Sequence, residues 1–350
     1  MHSIPIPNLR LPERKTNKLN YTIKDYYGSP STLCGGCGHD SVTAAIIQAC
    51  FELSIPPEYL VKMSGIGCSS KTPGYFMKSS HAFNSVHGRM PAIVMGSYLA
   101  HRNLSYLAIS GDGDTGSIGI GQFIHAVRRK QNMLYIIENN GVYGLTKGQF
   151  SALADKESVG KQQQMNPWDS IDPLSLSIQL GASFVARGFS GDKTQLVPLI
   201  KAGLKQKGFS LIEVLSPCVT FNNHSGSTRS YAHIREKDNE AIPIADFVPP
   251  KEEIAIDYQD TIDVKLHDES VIRLKKTKKH YNPSDKDLAL AFINSCKSSR
   301  EIATGLLYLD KSPKEYHEIC TTDHRPLRDI PYQELCPGNE ALAQINADFR

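Results

Sequence analysis

An α/β fold, with a mostly parallel sheet flanked by helices, is what this sequence predicts, and three observations carry that reading. Short apolar runs at Tyr106–Ser110, Met133–Glu138 and Leu211–Leu215 have the length and β-branched content of buried strands. Between the first two, Ser117–Lys130 places Ile120, Phe123, Ile124 and Val127 on one helical face. Strand, helix and strand within about 30 residues make a βαβ unit, so its strands are parallel and its crossover right-handed.

The remaining elements follow in order. Residues 1–30 are Pro-rich, polar and aperiodic, and read as an extended arm. The α/β domain spans 31–235. It opens with a helix over His39–Leu53, whose apolar positions Val42, Ile46, Ala49 and Leu53 share a face. The apolar run Val61–Ile66 follows, and a second helix over Thr194–Gln206 leads into the third strand. Beyond 235 the composition shifts. Ile242–Glu253 and Leu274–Asp287 are charged, Pro-containing and without period, and the basic cluster Arg273–His280 reads as a solvated turn. Only Asp285–Ser298 has an amphipathic helical pattern there. Residues 236–350 are therefore expected to be an irregular extension that wraps the domain or a partner. No internal repeat is visible.

Composition narrows the functional classes. The chain has 350 residues, 40% of them hydrophobic and 21% charged, which is ordinary for a soluble globular protein. A formal net charge of +3 with no basic stripe gives no footprint for nucleic acid. No apolar stretch approaches the roughly 18 residues of a membrane span. The first residues lack the apolar core of a secretory signal, so a cytoplasmic location is expected. The eight cysteines are too few for a disulfide scaffold, and their close spacing points to metal or redox chemistry.

Two strand endings carry the first chemical signal. The first strand runs into Gly111-Asp112-Gly113-Asp114, and the second into Glu138-Asn139-Asn140-Gly141-Val142-Tyr143-Gly144. In a parallel sheet both fall at the carboxyl edge, where open α/β sheets bind ligands. A carboxylate, a carboxamide oxygen and a backbone carbonyl are the hard ligands Mg²⁺ takes, with phosphate oxygens completing its shell. The helix opening near Ser117 offers free N–H groups to a diphosphate. Either turn alone is common loop chemistry. Together, with Asn140 lying 28 positions after Asp112, they match the thiamine diphosphate fingerprint of GDG followed by NN.

The cysteines give the second signal. Cys34-Gly35-Gly36-Cys37 is a C-x₂-C pair on a glycine-rich loop before a helix; Cys68 follows the Val61–Ile66 run, and Cys218 follows the third strand. Four loop-borne thiolates suit a [4Fe–4S] cluster. Zinc prefers a second close pair, and a redox dithiol leaves Cys68 and Cys218 without a role, although C-x₂-C alone has many uses. Cys50 lies on the apolar stripe of its helix and reads as a small core residue. Cys296, Cys320 and Cys336 have no ligand-like spacing.

In order along the chain, LCGGCGHD (33–40), SGIGCSS (64–70), HGRMPAIVMG (87–96), GDGDTGSIG (111–119), ENNGVYGLTKGQ (138–149) and LSPC (215–218) resemble the β subunits of the 2-oxoacid:ferredoxin oxidoreductases. The resemblance covers about residues 30–235. It implies that Cys34, Cys37, Cys68 and Cys218 hold one [4Fe–4S] cluster, and that Asp112, Asn140 and the Val142 carbonyl hold Mg²⁺. It implies that Ile66, Gly67, Cys68, Ser69, His87, Gly113, Asp114, Gly144 and Leu145 line thiamine diphosphate. The implied reaction is coenzyme A-dependent oxidative decarboxylation of a 2-oxoacid, with electrons leaving singly to ferredoxin. The pyrimidine-binding domain and its Glu would come from an α subunit, in an (αβ)₂ assembly. Leu145 stands where pyruvate-type members commonly carry Asn, which favours 2-oxoglutarate, and Lys147 is the candidate partner for that substrate's second carboxylate. His87 and Lys147 are thus the candidate catalytic residues. Pyruvate or a broad 2-oxoacid range is the first alternative; a non-redox thiamine decarboxylase and an iron–sulfur electron carrier are more distant ones.

Overall fold

The computed structural model describes residues 15–158, 164–216, 218, 256, 260–265, 271–277, 281–299 and 301–349. In chain order the elements are α1 (Gly38–Leu53), β1 (Leu60–Ser64), β2 (His81–Asn84), α2 (Met90–Ala100), β3 (Ser105–Gly111), α3 (Ile120–Arg128), β4 (Met133–Asn139), the short pair β5 (Val142–Tyr143) and β6 (Gln149–Phe150), α4 (Pro173–Leu180), β7 (Phe184–Phe189), α5 (Lys193–Lys205) and β8 (Phe209–Leu215). After these come β9 (Thr261–Lys265), β10 (Val271–Lys276), α6 (Lys286–Ser298), β11 (Ile302–Leu309), α7 (Tyr316–Ile319), α8 (Tyr332–Leu335) and α9 (Gly338–Asp348).

Nine strands form one sheet in the order β2, β1, β3, β4, β8, β7, β11, β10, β9. The six from β2 to β7 are parallel throughout. Their apolar runs are buried on both faces, as a sheet covered by helices on each side requires. On one face Ala108, Ile137, Val185 and Leu211 pack with Phe123 of α3, Leu174 of α4 and Ile293 of α6. On the other, Ile109, Ile136, Ala186 and Ile212 pack with Ile46 of α1 and Ile200 of α5. Every second strand residue changes core, which is the period of two expressed as three layers.

The expected βαβ unit is present, with a change at the start of its helix. A π-helical turn over Gly113–Ile118 with Asp112 at its cap precedes α3, so the chain begins to coil directly after the strand rather than near Ser117. The sequence reading missed α2, α4 and β7. α4 is a short helix set by local chemistry: Asp172 caps it through Leu174 N and Ser175 N, Pro173 occupies its first turn, and Gly181 ends it at φ 86°.

The irregular extension expected beyond 235 is corrected by the structure. β11 pairs antiparallel with β7, and β10 and β9 continue the sheet outward. The Arg273–His280 cluster is not a solvated turn over its described part, because Arg273–Lys276 lie in β10. Their charges are matched: Arg273 pairs with Asp263, Lys275 with Glu301 and Lys276 with Asp192. The outer strands bury little, essentially Val264 and Leu274 against Phe189, and they carry Asp263, Lys265, Arg273, Lys275 and Lys276 among their other positions. A charged edge blocks further strand pairing, and it also hides the strand pattern in the sequence. The helix expected over Asp285–Ser298 is α6, capped by the Asp285 carboxylate at Leu288 N.

Within β1 a cation is buried. Lys62 donates from Nζ to the carbonyls of Phe76 and Met77 (the latter at 3.0 Å) and lies 5.0 Å from the Phe76 ring centroid. Burial pushes its ammonium group down to about 8. Between that value and its ordinary 10.5, the unfolded chain keeps a proton that the folded chain gives up, so stability rises with pH in that window. The carbonyls and ring offset part of the burial cost. Relative to Lys62→Met, the wild type should therefore gain about 1–2 kcal/mol between roughly pH 8 and 10 in urea unfolding. A pH-independent difference would refute the reading.

Candidate functional site

The carboxyl ends of β1, β3 and β4, with the β5–β6 loop, close around one cavity. The turn after β1 contributes Ile66, Gly67, Cys68 and Ser69; the segment entering α2 contributes His87; the turn after β3 contributes Asp112, Gly113 and Asp114. Asn140, Val142, Gly144 and Leu145 complete the set from the other side. The residues expected to line a cofactor or hold Mg²⁺ are all brought together here. Lys147 is not on the wall. It is exposed two residues beyond Leu145, at a left-handed φ of 77°, with its N–H donating to the Gly144 carbonyl.

Glycine makes the floor. A Cβ on Gly113 would meet the Tyr143 ring at 2.5 Å, and one on Gly111 would meet Ser69 Oγ at 2.9 Å. Tyr143 closes over that space and donates from Oη to the Gly113 carbonyl at 2.9 Å. Asp112 is buried and accepts a bond from Ser151 Oγ. Asn140 is buried too, and its Oδ1 accepts from Val142 N at 3.1 Å around Gly141 at φ 74°. A carboxylate, a carboxamide and a main-chain carbonyl thus share one cavity. That donor set fits a hard divalent cation and its phosphate.

Asp114 plays a part the sequence did not reveal. Its carboxylate accepts from Gly88 N (2.8 Å), Ser110 Oγ (2.7 Å) and Ile66 N (3.4 Å), and it contacts His87 Nδ1. It braces three wall segments and holds the His87 ring, which faces Tyr143 edge-on at 6.2 Å. Its bonds run to protein groups, so it shapes the wall that it also lines.

The cysteine loops meet beside the cavity. Cys37 caps α1 and donates from its N–H to the Cys34 carbonyl, with Gly36 between them at φ 78°. A Cβ on Gly38 would meet Ser216 Oγ at 2.6 Å, so the start of α1 approaches the chain just before Cys218 as only glycine permits. Burial raises the Cys37 thiol, and nearby Glu138 and Cys218 raise it further. Burial likewise raises Cys68, reinforced by Cys218 and Cys34 and opposed by Lys71. Cys68 also lies on the cavity wall. Among the described residues no three such groups are close enough to share a single metal ion. A multi-iron cluster spreads its thiolates more widely, and it supplies the positive charge these buried thiolates need. Cys50 is buried in the core, as expected.

A sequence model of the thiamine pyrophosphate enzyme C-terminal TPP binding domain matches residues 65–214. The 2-oxoacid:ferredoxin oxidoreductase β subunit of a Sulfolobus species is 41% identical over 191 residues, which is 54% of this chain and 63% of that one. The 2-oxoglutarate synthase subunit KorB of Methanocaldococcus jannaschii is 38% identical over 207 residues, or 58% of this chain and 75% of that one. The chain belongs to the β subunits of the 2-oxoacid:ferredoxin oxidoreductases. A solved 2-oxoglutarate:ferredoxin oxidoreductase from Magnetococcus marinus, with 2-oxoglutarate, coenzyme A and succinyl-CoA bound, superposes with a TM-score of 0.69 at 26% identity, covering 93% of this chain and 96% of that one. The match to the Sulfolobus relative spans less than two thirds of that protein's length.

For this β-subunit family member, the wall also contains residues that the motifs did not announce. His39 and Glu138 line the cavity from the α1 side, 3.7 Å apart. Burial pushes His39 down to about 4 and Glu138 well above the usual carboxylate range, so it disfavours the charged form of each. Glu138 takes the Thr72 hydroxyl on both oxygens at 3.1 Å, and His39 meets Ser216 Oγ at 2.5 Å. Both belong to quoted motifs, but only the register of the sheet shows that they point inward. The Asp114 brace can be tested through Gly65, where a Cβ would fall 1.8 Å from Asp114 Oδ2. Gly65→Ala should displace that carboxylate and cost about 2–3 kcal/mol in thermal unfolding. A variant as stable as wild type would show that the brace is loose.

Proposed function

We propose that the chain is the catalytic β subunit of a coenzyme A-dependent oxidative decarboxylation, converting 2-oxoglutarate to succinyl-CoA and CO₂. The observation that carries this reading is the double position of Cys68. It lies on the wall of the Asp112–Asn140 cavity and within the electrostatic reach of Cys34 and Cys218. A group bound in the cavity and a cluster held by the thiols are then separated by one residue. Thiamine diphosphate supplies the nucleophile and electron sink for loss of CO₂, and a [4Fe–4S] cluster takes electrons one at a time.

The chain's own residues have definite tasks in this reading. Asp112, Asn140 and the Val142 carbonyl hold Mg²⁺ against the diphosphate, while Gly113 lets the backbone come close. Ile66 to Ser69, Asp114, Gly144 and Leu145 form the wall. His87, oriented through Nδ1 by Asp114, presents its other nitrogen for hydrogen bonding to substrate. Cys34, Cys37, Cys68 and Cys218 ligate the cluster, and ferredoxin receives its electrons. The described strands form the nine-stranded sheet and the β5–β6 pair, and this reading assigns the pyrimidine-side Glu to a partner α subunit. The 2-oxoglutarate, coenzyme A and succinyl-CoA of the Magnetococcus enzyme support the substrate assignment.

Cluster ligation is tested by replacing each cysteine with Ala and measuring iron and the visible spectrum of anaerobically purified protein. Changes at Cys34, Cys37, Cys68 or Cys218 should each lower iron content, whereas Cys50→Ala should not. Full iron in Cys218→Ala would remove that residue from the set. Substrate choice is tested at Lys147, whose exposure leaves it free to reach a distal carboxylate above Leu145. A charge-assisted bond of about 1.5–3 kcal/mol predicts a KM for 2-oxoglutarate at least about tenfold higher in Lys147→Ala. The KM for pyruvate should change little. Equal losses on both substrates would assign the lysine to coenzyme A or to folding of the loop.

A further inference from the structure

The face of the sheet opposite α1 carries a buried polar chain that ends at the turn bearing Asn140. Arg187 on β7 is the register partner of Glu213 on β8, and Asn139 at the end of β4 is the diagonal neighbour of Glu213. Arg187 donates from Nε to Glu213 Oε2 at 2.9 Å and pairs through its terminal nitrogen at 2.8 Å. Glu213 Oε1 accepts from Asn139 Nδ2 at 2.7 Å. Asn139 Oδ1 in turn accepts from Gly141 N at 3.0 Å. All three side chains are largely shielded from solvent in a layer otherwise filled by aliphatic and aromatic groups.

Such an ion pair is costly to bury, and an apolar pair of similar size is often as stable. A core of Val, Leu and Phe does not need it for cohesion. What the pair does uniquely is fix one carboxamide. With its NH₂ held by Glu213, Asn139 can present only its oxygen to Gly141, which sets the turn through Gly141 to Val142. That turn places Asn140 and Val142 on the cavity wall. The chain extends away from the cavity as well. Arg187 lies close to Asp172, the cap of α4, which Lys297 of α6 pairs at 2.7 Å. Burial alone would raise the Asp172 carboxyl; Arg187 and Lys297 outweigh it and hold it below its ordinary value.

We propose that Glu213 and Arg187 are positioning residues for the metal-binding turn, acting through Asn139 to preset Asn140 and the Val142 carbonyl before the metal arrives. The inference rests on the reading that these two groups hold Mg²⁺. It assigns a task to β7, whose Arg187 has no place in the thiamine or cysteine motifs.

The test uses the full-length chain, purified anaerobically and freed of metal, and titrates it with Mn²⁺ in the presence of thiamine diphosphate. Bound Mn²⁺ is read from the loss of the free-ion electron paramagnetic resonance signal. Glu213→Ala leaves Arg187 buried and unpaired, so the double change Arg187→Met with Glu213→Met, which removes both charges together, is measured beside it. The double variant should keep its iron content but bind Mn²⁺ at least about tenfold more weakly, the loss expected for one ordering hydrogen bond. Glu213→Gln, which still offers Asn139 an acceptor, should stay within about threefold of wild type. Should the double variant not fold, Asn139→Ser removes the carboxamide without disturbing the ion pair and should show the same loss. Wild-type Mn²⁺ affinity in a folded double variant, or in Asn139→Ser, would overturn the proposal, as would a Glu213→Gln loss equal to that of the double variant. Asp112→Ala run in parallel separates the two levels. If it too binds Mn²⁺ normally the metal reading itself fails, whereas a loss confined to Asp112→Ala removes only the positioning role.

Discussion

The parallel register of β3, β4 and β8 is the constraint on which the rest of the molecule depends. Gly111 stands opposite Glu138, and Asn139 opposite Leu215, so three strands end side by side at one edge of the sheet. The next residues of each strand are then forced into one neighbourhood: Asp112 from the first, Asn140 from the second, and Ser216 leading to Cys218 from the third. A slip of one residue in either pairing would turn each of Asn139 and Glu138 to the face it does not now occupy and separate the groups that converge on the cavity. The strands hold that register because both faces are buried. Each side chain has a core to enter, and the wrong face leaves a charged or polar group without its partner.

Burial then decides the chemistry available at the edge. The α1 face supplies His39 and Glu138, whose charged forms burial disfavours. The opposite face supplies Arg187 and Glu213, which meet at 2.8 Å while the other Glu213 oxygen accepts from Asn139. Between these layers the cavity holds the buried carboxyl groups of Asp112 and Asp114 with the Asn140 carboxamide beside them. A site that collects oxygen donors at one point suits a divalent cation carrying a diphosphate. The thiols follow the same logic. Burial, reinforced by neighbouring thiols, disfavours the ionised forms of Cys37 and Cys68, which a cationic group beside them would offset.

The family assignment and the geometry support each other from different parts of the chain. The thiamine-domain match begins at residue 65 and ends at 214, so neither Cys34 and Cys37 nor Cys218 falls within it. The structure nevertheless brings the start of α1 against Ser216 through Gly38, a close approach that joins the unmatched segments to the matched one. Beyond 235 the chain does more than wrap the domain. β11 covers the edge of β7, and α6 completes the core over α4, so the extension supplies structure to the layer in which Arg187 and Glu213 lie.

The sequence by itself determined the βαβ unit, the buried strands β3, β4 and β8, the helices α1, α5 and α6, and the residues of the GDGD, NNG and cysteine motifs. These are local signals: an apolar period, a cap, or a glycine that permits a tight turn. It did not reveal α2, α4 and β7: Arg187 interrupts β7, serines break the short run of α4, and α2 is apolar nearly all round, without the one-sided period that marks a surface helix. It misread β9 and β10 because these outer strands mix charged with apolar residues, as in TIDVK and VIRLKK, and it left the apolar run of β11 unassigned. Nor did it show that Asp114 turns toward His87 and Gly88, that His39 and Glu138 share a wall, or that Lys147 stands outside the cavity. Those facts depend on which segments meet across the sheet. Sequence spacing constrains neighbours within a turn or a strand, while contacts between distant strands are fixed only when the whole sheet closes its two cores.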